Sequence, residues 1–454
     1  MNIILLSGGS GKRLWPLSND IRSKQFIKIF KRPDHTIPMG TEAGNGYESM
    51  VQRIYRQIKT VDPDATVTIA TSKSQVSAIH NQLGEGVGIS VEPCRRDTFP
   101  AIALATAYLH YVQGVSLDEA VVVCPVDPYV NDDYFEALTK LWELAQEGTA
   151  NLVLMGIDPT YPSEKYGYIM PVDKEKVSKV SEFKEKPDAA TAQKYIDDGG
   201  LWNGGVFAYK LRYVLERAHE LIDFSDYSDL FAKYDTLTKI SFDYAVVEHE
   251  KDIAVLRFAG EWKDLGTWNT LTEAMEENAV GDVRFNETCS NVHAINELGV
   301  PILIMGGKDL VVSASPEGIL ISDKEQSSYI KPYVDAIDQQ IMFAEKSWGS
   351  FRVLDVQPTS LTIRVTLLPG HRLHYHSHEN RDETWTVVAG EGIAVVDDAE
   401  IKLHPGVMLR LPVGSRHTAI AETEMTLIEV QMGDGISAHD KKKYSLADKY
   451  GVHK

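Results

Sequence analysis

The pattern of apolar residues changes once along this chain, and the change limits what it can fold into. Up to about residue 275, short apolar runs at 3–6, 67–70, 120–124 and 152–155 alternate with helical patterns such as 100–111, which Asp97 or Thr98 is placed to cap. Alternation of this kind predicts an α/β layer with a mixed, mainly parallel sheet. From about Gly281 the helical patterns nearly vanish, and short strands follow one another with Gly, Pro, Asn and Asp between them, so this half reads as all-β. Several closely spaced strands fall in 301–325, and a second block at 347–432 is denser in β-branched residues. With 454 residues, 43% of them hydrophobic, the chain can bury more than one core. The expected units are 1–280, 281–338 and 339–454.

Charge and cysteine usage narrow the function classes. A formal net charge of -19 argues against nucleic acid as a partner, because a phosphate backbone needs a basic face. Any phosphate ligand must then be held by local cations or a metal. No basic leader precedes the first apolar run, which ends at Ser7, and no stretch approaches the roughly 18 unbroken apolar residues of a membrane span. The expectation is a cytoplasmic protein without a membrane partner. Cys94, Cys124 and Cys289 are too few and too far apart for a disulfide framework or a zinc cluster. A homo-oligomer is neither required nor excluded.

The stretch "GGSGKRLWPLS" from Gly8 follows the first apolar run directly. It is not a Walker loop, since Arg13 follows Lys12, and not a dinucleotide fingerprint, since Leu14 stands where a third glycine belongs. Pro16 argues against a helix running straight on from the glycines. Two readings stay open on these residues alone: a tight surface turn with solvated charges, or a backbone that approaches an anion with two cations beside it.

Further stretches resolve the choice. "SKQF" from Ser23, "EPCRRDTFPAIALA" from Glu92, "CPVDPYV" from Cys124, "YGYI" from Tyr166, "FKEKP" from Phe183, "WNGGVF" from Trp202, "FDYAVVE" from Phe242 and "WKDLGTW" from Trp262 follow the glycine stretch in order. Together they resemble the sugar-1-phosphate nucleotidyltransferases, and the Trp-Pro version resembles the mannose-1-phosphate guanylyltransferases. The resemblance covers almost all of the first 275 residues. It implies a Rossmann-like α/β domain whose substrates are GTP and mannose 1-phosphate, with Mg²⁺ as cofactor.

The chemistry asks for residues of these types. A sugar phosphate oxygen attacks the α-phosphorus of a nucleoside triphosphate and pyrophosphate leaves, so two anions must be brought together and growing charge neutralised. The resemblance implies Gly8, Gly9, Gly11, Lys12 and Asp97 on the nucleotide, Arg13 and Lys24 as catalytic cations, and Asp127 and Asp264 as the two Mg²⁺ carboxylates. On the sugar side it implies Gly167, Glu185, Lys186, Asn203, Asp243 and Glu248. The chain departs from the family pattern at Ser23-Lys24, Val126-Asp127-Pro128 and Arg95-Arg96-Asp97, which leaves another hexose or a heptose 1-phosphate as the alternative substrate. A sugar-nucleotide-binding regulatory protein without turnover is the alternative from another class.

The last block carries a second constellation. "GHRLHYHSHENRDETWTVVAG" from Gly370 and "GVMLRLPVGSRH" from Gly406 resemble the two motifs of the cupin β-barrels. By period-two alternation His374, His376 and His378 share one strand face, with Glu383 brought in by a turn and His417 by a later strand. His376, His378, Glu383 and His417 would suit a divalent transition metal such as Zn²⁺, Mn²⁺, Fe²⁺ or Ni²⁺. "SWGSFRVLD" from Ser347 and "IEVQMGD" from Ile428 resemble segments of type II phosphomannose isomerase. Between them the isomerase pattern is only partly kept: Arg381 matches, whereas Glu379, Asn380 and Thr384 stand for its extra histidines.

Overall fold

A computed structural model of the chain describes residues 1–9, 12–19, 21–33, 46–437 and 440–446. The first half is a nine-stranded sheet whose order, edge to edge, is Gly88–Glu92, Thr66–Ser72, Asn2–Ser7, Ala120–Pro125, Leu201–Lys210, Leu152–Ile157, Ile253–Phe258, Val177–Lys184 and Gly167–Pro171. All strands run one way except Leu201–Lys210 and Val177–Lys184. The apolar runs are unbroken because both faces of the sheet are covered. Ile3, Leu5 and Val122 join the core on one side, and Ile4, Val121 and Val123 join the core on the other.

Helices cover the sheet where the sequence supplies their ends. Ser49 and Gln52 close a capping box on Met50–Val61, and Gly148 takes the left-handed conformation that ends Asp132–Glu147. Thr98–Ala107 is capped by Asp97, whose carboxylate accepts the Thr98 N–H at 2.8 Å. The helix continues as a π-turn over Tyr108–Val112.

The middle segment is built from short parallel rungs. Ala279–Val280, His293–Asn296 and Leu310–Ser315 stack in parallel, Gly318–Asp323 returns antiparallel, and Val283–Phe285 pairs with Ile302–Ile304 in a second, two-stranded sheet. Beyond it lies a barrel of two sheets, one of six strands starting at Phe343–Lys346 and one of five that includes His376–Ser377 and His417–Ala421. One end of its interior is packed by Leu367, Trp385, Ala419, Met425 and Leu427.

The loop after the first strand is tied to everything downstream. The Trp15 carbonyl accepts Trp268 Nε1–H at 3.1 Å, and the Pro16 carbonyl accepts the Ser315 hydroxyl at 2.6 Å. Gly318, at φ 149°, leaves room for the Trp15 ring, since a Cβ there would lie 2.6 Å from it. Arg22 makes a two-pronged pair with Glu297 at 2.7 and 2.8 Å. Asn19 donates to Glu317 at 2.8 Å and to the Phe343 carbonyl at 2.9 Å.

Candidate functional site

Strand register sets the site. Leu6 lies opposite Pro125 on neighbouring parallel strands, so Gly8 and Gly9 leave the sheet at the same edge as Asp127. Trp262–Asp264 pairs antiparallel with Pro128–Val130, with Asp264 opposite Pro128, and this two-stranded ribbon holds the two aspartates side by side. Lys24, on a short 3-10 turn, reaches between them: its ammonium is 2.8 Å from Asp127 Oδ2 and 3.8 Å from Asp264 Oδ1, and it donates to the Leu265 carbonyl at 3.5 Å. Protein packed around Asp264 raises its carboxyl; Lys24 opposes that rise and Asp127 adds to it. Arg13 is exposed on the turn Lys12–Leu14, and its charge is felt at Asp264.

A cleft of about 240 Å³ opens beside these groups, lined by Asp127, Asp264, Tyr166, Asn203, Gly204 and Trp262 among others. Asn203 sits where the register of its strand shifts, and its amide gives a hydrogen bond to Asp243 at 2.7 Å while its oxygen accepts the Gly205 N–H at 3.1 Å. Glu185 is ion-paired to Lys186. A Cβ on Gly167 would fall 2.5 Å from the Glu185 carboxylate, so a larger residue there would displace that side chain. Burial, reinforced by the negative charge of Glu185, pushes the Asp243 carboxyl up to about 6.

The expected nucleotide group is less uniform. Gly8 and Gly9 form an exposed turn with open space above it, and the Gly9 carbonyl accepts from Ser23 Oγ at 3.1 Å and Arg95 Nη2 at 3.2 Å. Gly11 lies outside the described residues. Lys12 is paired with Asp335, 3.4 Å away on the helix Lys331–Asp335. Asp97 is occupied in capping its helix. Glu248 is exposed just past the turn Asp243–Val247, and among the described residues its carboxylate has no hydrogen bond or ion pair.

Sequence reasoning passed over the aromatic wall. Tyr166 stands 5.0 Å from Trp202 and 5.5 Å from Trp262, centroid to centroid, and Tyr161 closes on Trp202 at 4.9 Å. The signal was present in "YGYI", "WNGGVF" and "WKDLGTW", each of which opens on an aromatic one or two positions before a residue singled out for the site, Gly167, Asn203 or Asp264.

The barrel holds the second site. His376, His378, Glu383 and His417 are all buried, and one ligating atom from each lies within 4.8 Å of the others. Each imidazole turns Nδ1 toward a backbone carbonyl: His376 to His374 at 2.6 Å, His417 to Ser415 at 3.0 Å, and His378 to Asp440. An Nδ1–H held this way leaves Nε2 as the lone-pair nitrogen facing the centre. Among the described residues His417 Nε2 is buried there without a hydrogen-bond partner, an orphaned nitrogen that suits a metal ligand. Burial lowers the His376 imidazole far below its ordinary range, so it stays neutral. The Glu383 carboxylate lies 2.9 Å from His378 Nε2 and 3.3 Å from His417 Nε2.

Around the four residues lies a polar shell. Arg381 donates Nε to Glu383 at 3.0 Å, Nη1 to the Ser437 carbonyl at 2.8 Å and Nη2 to His378 at 3.2 Å, and Trp385 Nε1 reaches Glu383 at 3.3 Å. Glu429 is buried on the adjacent strand, raised by burial and by the charge of Glu383. His374 does not join the group. The strand spans only His376–Ser377, too short to carry the alternation that would have aligned three histidines, and His374 contributes its carbonyl instead.

Comparison with known proteins agrees with this division. Residues 2–280 match the family described as nucleotidyl transferase, and residues 363–431 match the cupin domain. The chain is 28% identical to the xanthan biosynthesis protein XanB of Xanthomonas campestris pv. campestris, over 99% of this chain and 98% of that protein. It is equally 28% identical to a mannose-1-phosphate guanylyltransferase of Escherichia coli, over 99% and 98% of the two chains. A solved structure described as a mannose-1-phosphate geranyltransferase, from Thermus thermophilus, is 27% identical and superposes with a TM-score of 0.60 over 74% of this chain and 98% of that one.

Proposed function

Since the chain belongs to the nucleotidyl transferase family and carries a cupin barrel behind that domain, we propose that it transfers GMP from GTP to α-D-mannose 1-phosphate, giving GDP-mannose and pyrophosphate. The observation that carries this reading is the meeting of Lys24, Asp127 and Asp264 at the strand edge where the glycine turn begins. Asp127 and Asp264 are hard oxygen donors at one spot with a cation already between them, a donor set that suits Mg²⁺. When bound, that ion supplies positive charge for the phosphates and the departing pyrophosphate.

In this reading the protein's own groups divide the work. Arg13, exposed and unpaired among the described residues, is free to meet the triphosphate, and Lys24 is within reach of it. Gly8 and Gly9 let backbone approach the nucleotide, while Asn203, Asp243, Glu185 and Lys186 hold the hexose and its phosphate so that the attacking oxygen lies in line. Lys12, tied to Asp335, acts on the nucleotide only after exchanging that partner. The 28% identity to a guanylyltransferase supports GTP and mannose 1-phosphate as the pair.

The buried cluster favours a second activity in the same chain. Three imidazole nitrogens and a carboxylate around one centre suit a transition metal that polarises a sugar carbonyl, as interconversion of fructose 6-phosphate and mannose 6-phosphate requires. Chromatography of products tests both readings: GTP, mannose 1-phosphate, Mg²⁺ and pyrophosphatase should give a GDP-mannose peak that disappears in Asp264→Ala. Absence of any nucleotide sugar across the common NTPs and hexose or heptose 1-phosphates, with nucleotide binding intact, would move the first domain to the class of binding proteins. The barrel's activity is checked separately by adding Zn²⁺, Mn²⁺, Fe²⁺ or Ni²⁺ and following the two hexose 6-phosphates.

A further inference from the structure

Lys24 occupies the place between two carboxylates that a divalent cation would take. Its ammonium touches Asp127 Oδ2 at 2.8 Å, lies 3.8 Å from Asp264 Oδ1, and is steadied by the Leu265 carbonyl at 3.5 Å. The lysine side chain is 18% exposed, against 36% and 46% for the two aspartates, so its stem is packed while the carboxylates stay open to a ligand. A Mg²⁺ ion binds oxygens at about 2.0–2.1 Å and tolerates little distortion. An ammonium and such an ion on the same carboxylate oxygen would stand a few ångströms apart with like charge and repel one another. Each therefore weakens the hold of these carboxylates on the other.

We propose that Lys24 is a resident counter-ion that competes with the divalent metal, and that the nucleotide's phosphates release the carboxylates by drawing Lys24 onto themselves. The inference rests on reading Asp127 and Asp264 as the metal carboxylates. Metal and nucleotide are then coupled through one side chain, and the coupling is reciprocal: each raises the affinity for the other. Nucleotide-free protein holds the metal weakly, which keeps the site from being loaded before its substrate is present.

The test uses the full chain and Mn²⁺ as the probe, with free ion counted by electron paramagnetic resonance against protein-free samples at the same GTP concentration, so that Mn²⁺ held by GTP alone is subtracted and no turnover is needed. Lys24→Met keeps the length and apolar stem of the side chain and removes only the charge; Lys24→Gln is the second variant should the first fold poorly. Without nucleotide, the charge-free variant should bind Mn²⁺ about tenfold more tightly than the unmodified protein, and added GTP should improve that affinity far less than it does for the unmodified protein. Equal or weaker nucleotide-free binding in the Lys24 variants, while GTP still promotes Mn²⁺ binding that Asp264→Asn abolishes, overturns the competition and leaves the metal reading standing. Mn²⁺ binding unaffected by Asp264→Asn in the presence of GTP overturns the metal reading, and the competition with it.

Discussion

The cleft of the first domain and the cluster in the barrel are both built to hold charge, and they do so in opposite ways. In the cleft the charged groups stand at a rim: Arg13 is exposed, Asp127 and Asp264 are 36% and 46% exposed, and the cation between them is a lysine. In the barrel His376, His378, Glu383 and His417 are at most 3% exposed, and every ring is oriented by a backbone carbonyl. At a rim, water competes for each charged group, so no fixed arrangement has to be held in advance. A buried cluster has to be arranged in advance, since unpaired polar atoms inside a barrel would cost too much. The contrast teaches that loss of one residue will have different consequences in the two places, catalytic at the rim and structural in the barrel.

The sharpest way to break the comparison is at the rim. Asp264→Ala should lower nucleotide-sugar formation by about 10²–10³-fold while leaving the melting temperature nearly unchanged, as read by product assay and calorimetry on the same sample. In the barrel the reverse is expected. Glu383→Ala leaves Arg381 buried without its carboxylate, and should destabilise the barrel by about 3–5 kcal/mol in denaturant unfolding while transferase activity of the folded fraction persists. A transferase loss as deep as that of Asp264→Ala would show that the two sites are not independent.

A titration sharpens the same contrast. The Asp243 carboxyl at about 6 lies above its value in an unfolded chain, so it charges later in the folded protein as pH rises. Its share of stability is therefore greatest in acid and declines as pH climbs through the window up to 6, whereas binding of sugar hydroxyls to its carboxylate follows the opposite course. kcat/KM for the sugar 1-phosphate should fall about tenfold for each pH unit below 6, and Asp243→Asn should flatten that limb. The smallest effect belongs to the loop's anchorage: Gly318→Ala pushes a methyl into Trp15 and should raise the KM for GTP a few-fold, about 1 kcal/mol, with kcat nearly constant.

How much of this was legible in the sequence depended on how local each feature is. The alternation that forms the sheet, the glycine turn after its first strand and the Asp97 cap all depend on neighbours a few residues away, and each is visible as a pattern. His376, His378, Glu383 and His417 were readable because barrel strands alternate and two spaced motifs mark them. His374 misled for the same reason: alternation requires a strand, and here the strand ends after two residues. The pairing of Lys12 with Asp335 and of Arg22 with Glu297 joins positions hundreds of residues apart, and no periodicity points from one to the other. The aromatic wall of Tyr166, Trp202 and Trp262 comes from three separate segments, so only the folded chain shows it as one surface.

One buried carboxylate carries a consequence for the chain as an inherited unit. Glu317 Oε1 accepts the Asn19 amide at 2.8 Å from one side and the N–H groups of Met342 and Phe343, both at 3.0 Å, from the other. A cut of the chain between 280 and 317 would separate Asn19 from its acceptor, and one between 317 and 342 would remove two of the acceptor's three donors. Recombination cannot shuffle the two parts as freely as beads on a string, because the segment after the first strand and the entry to the barrel share one hydrogen-bonded carboxylate.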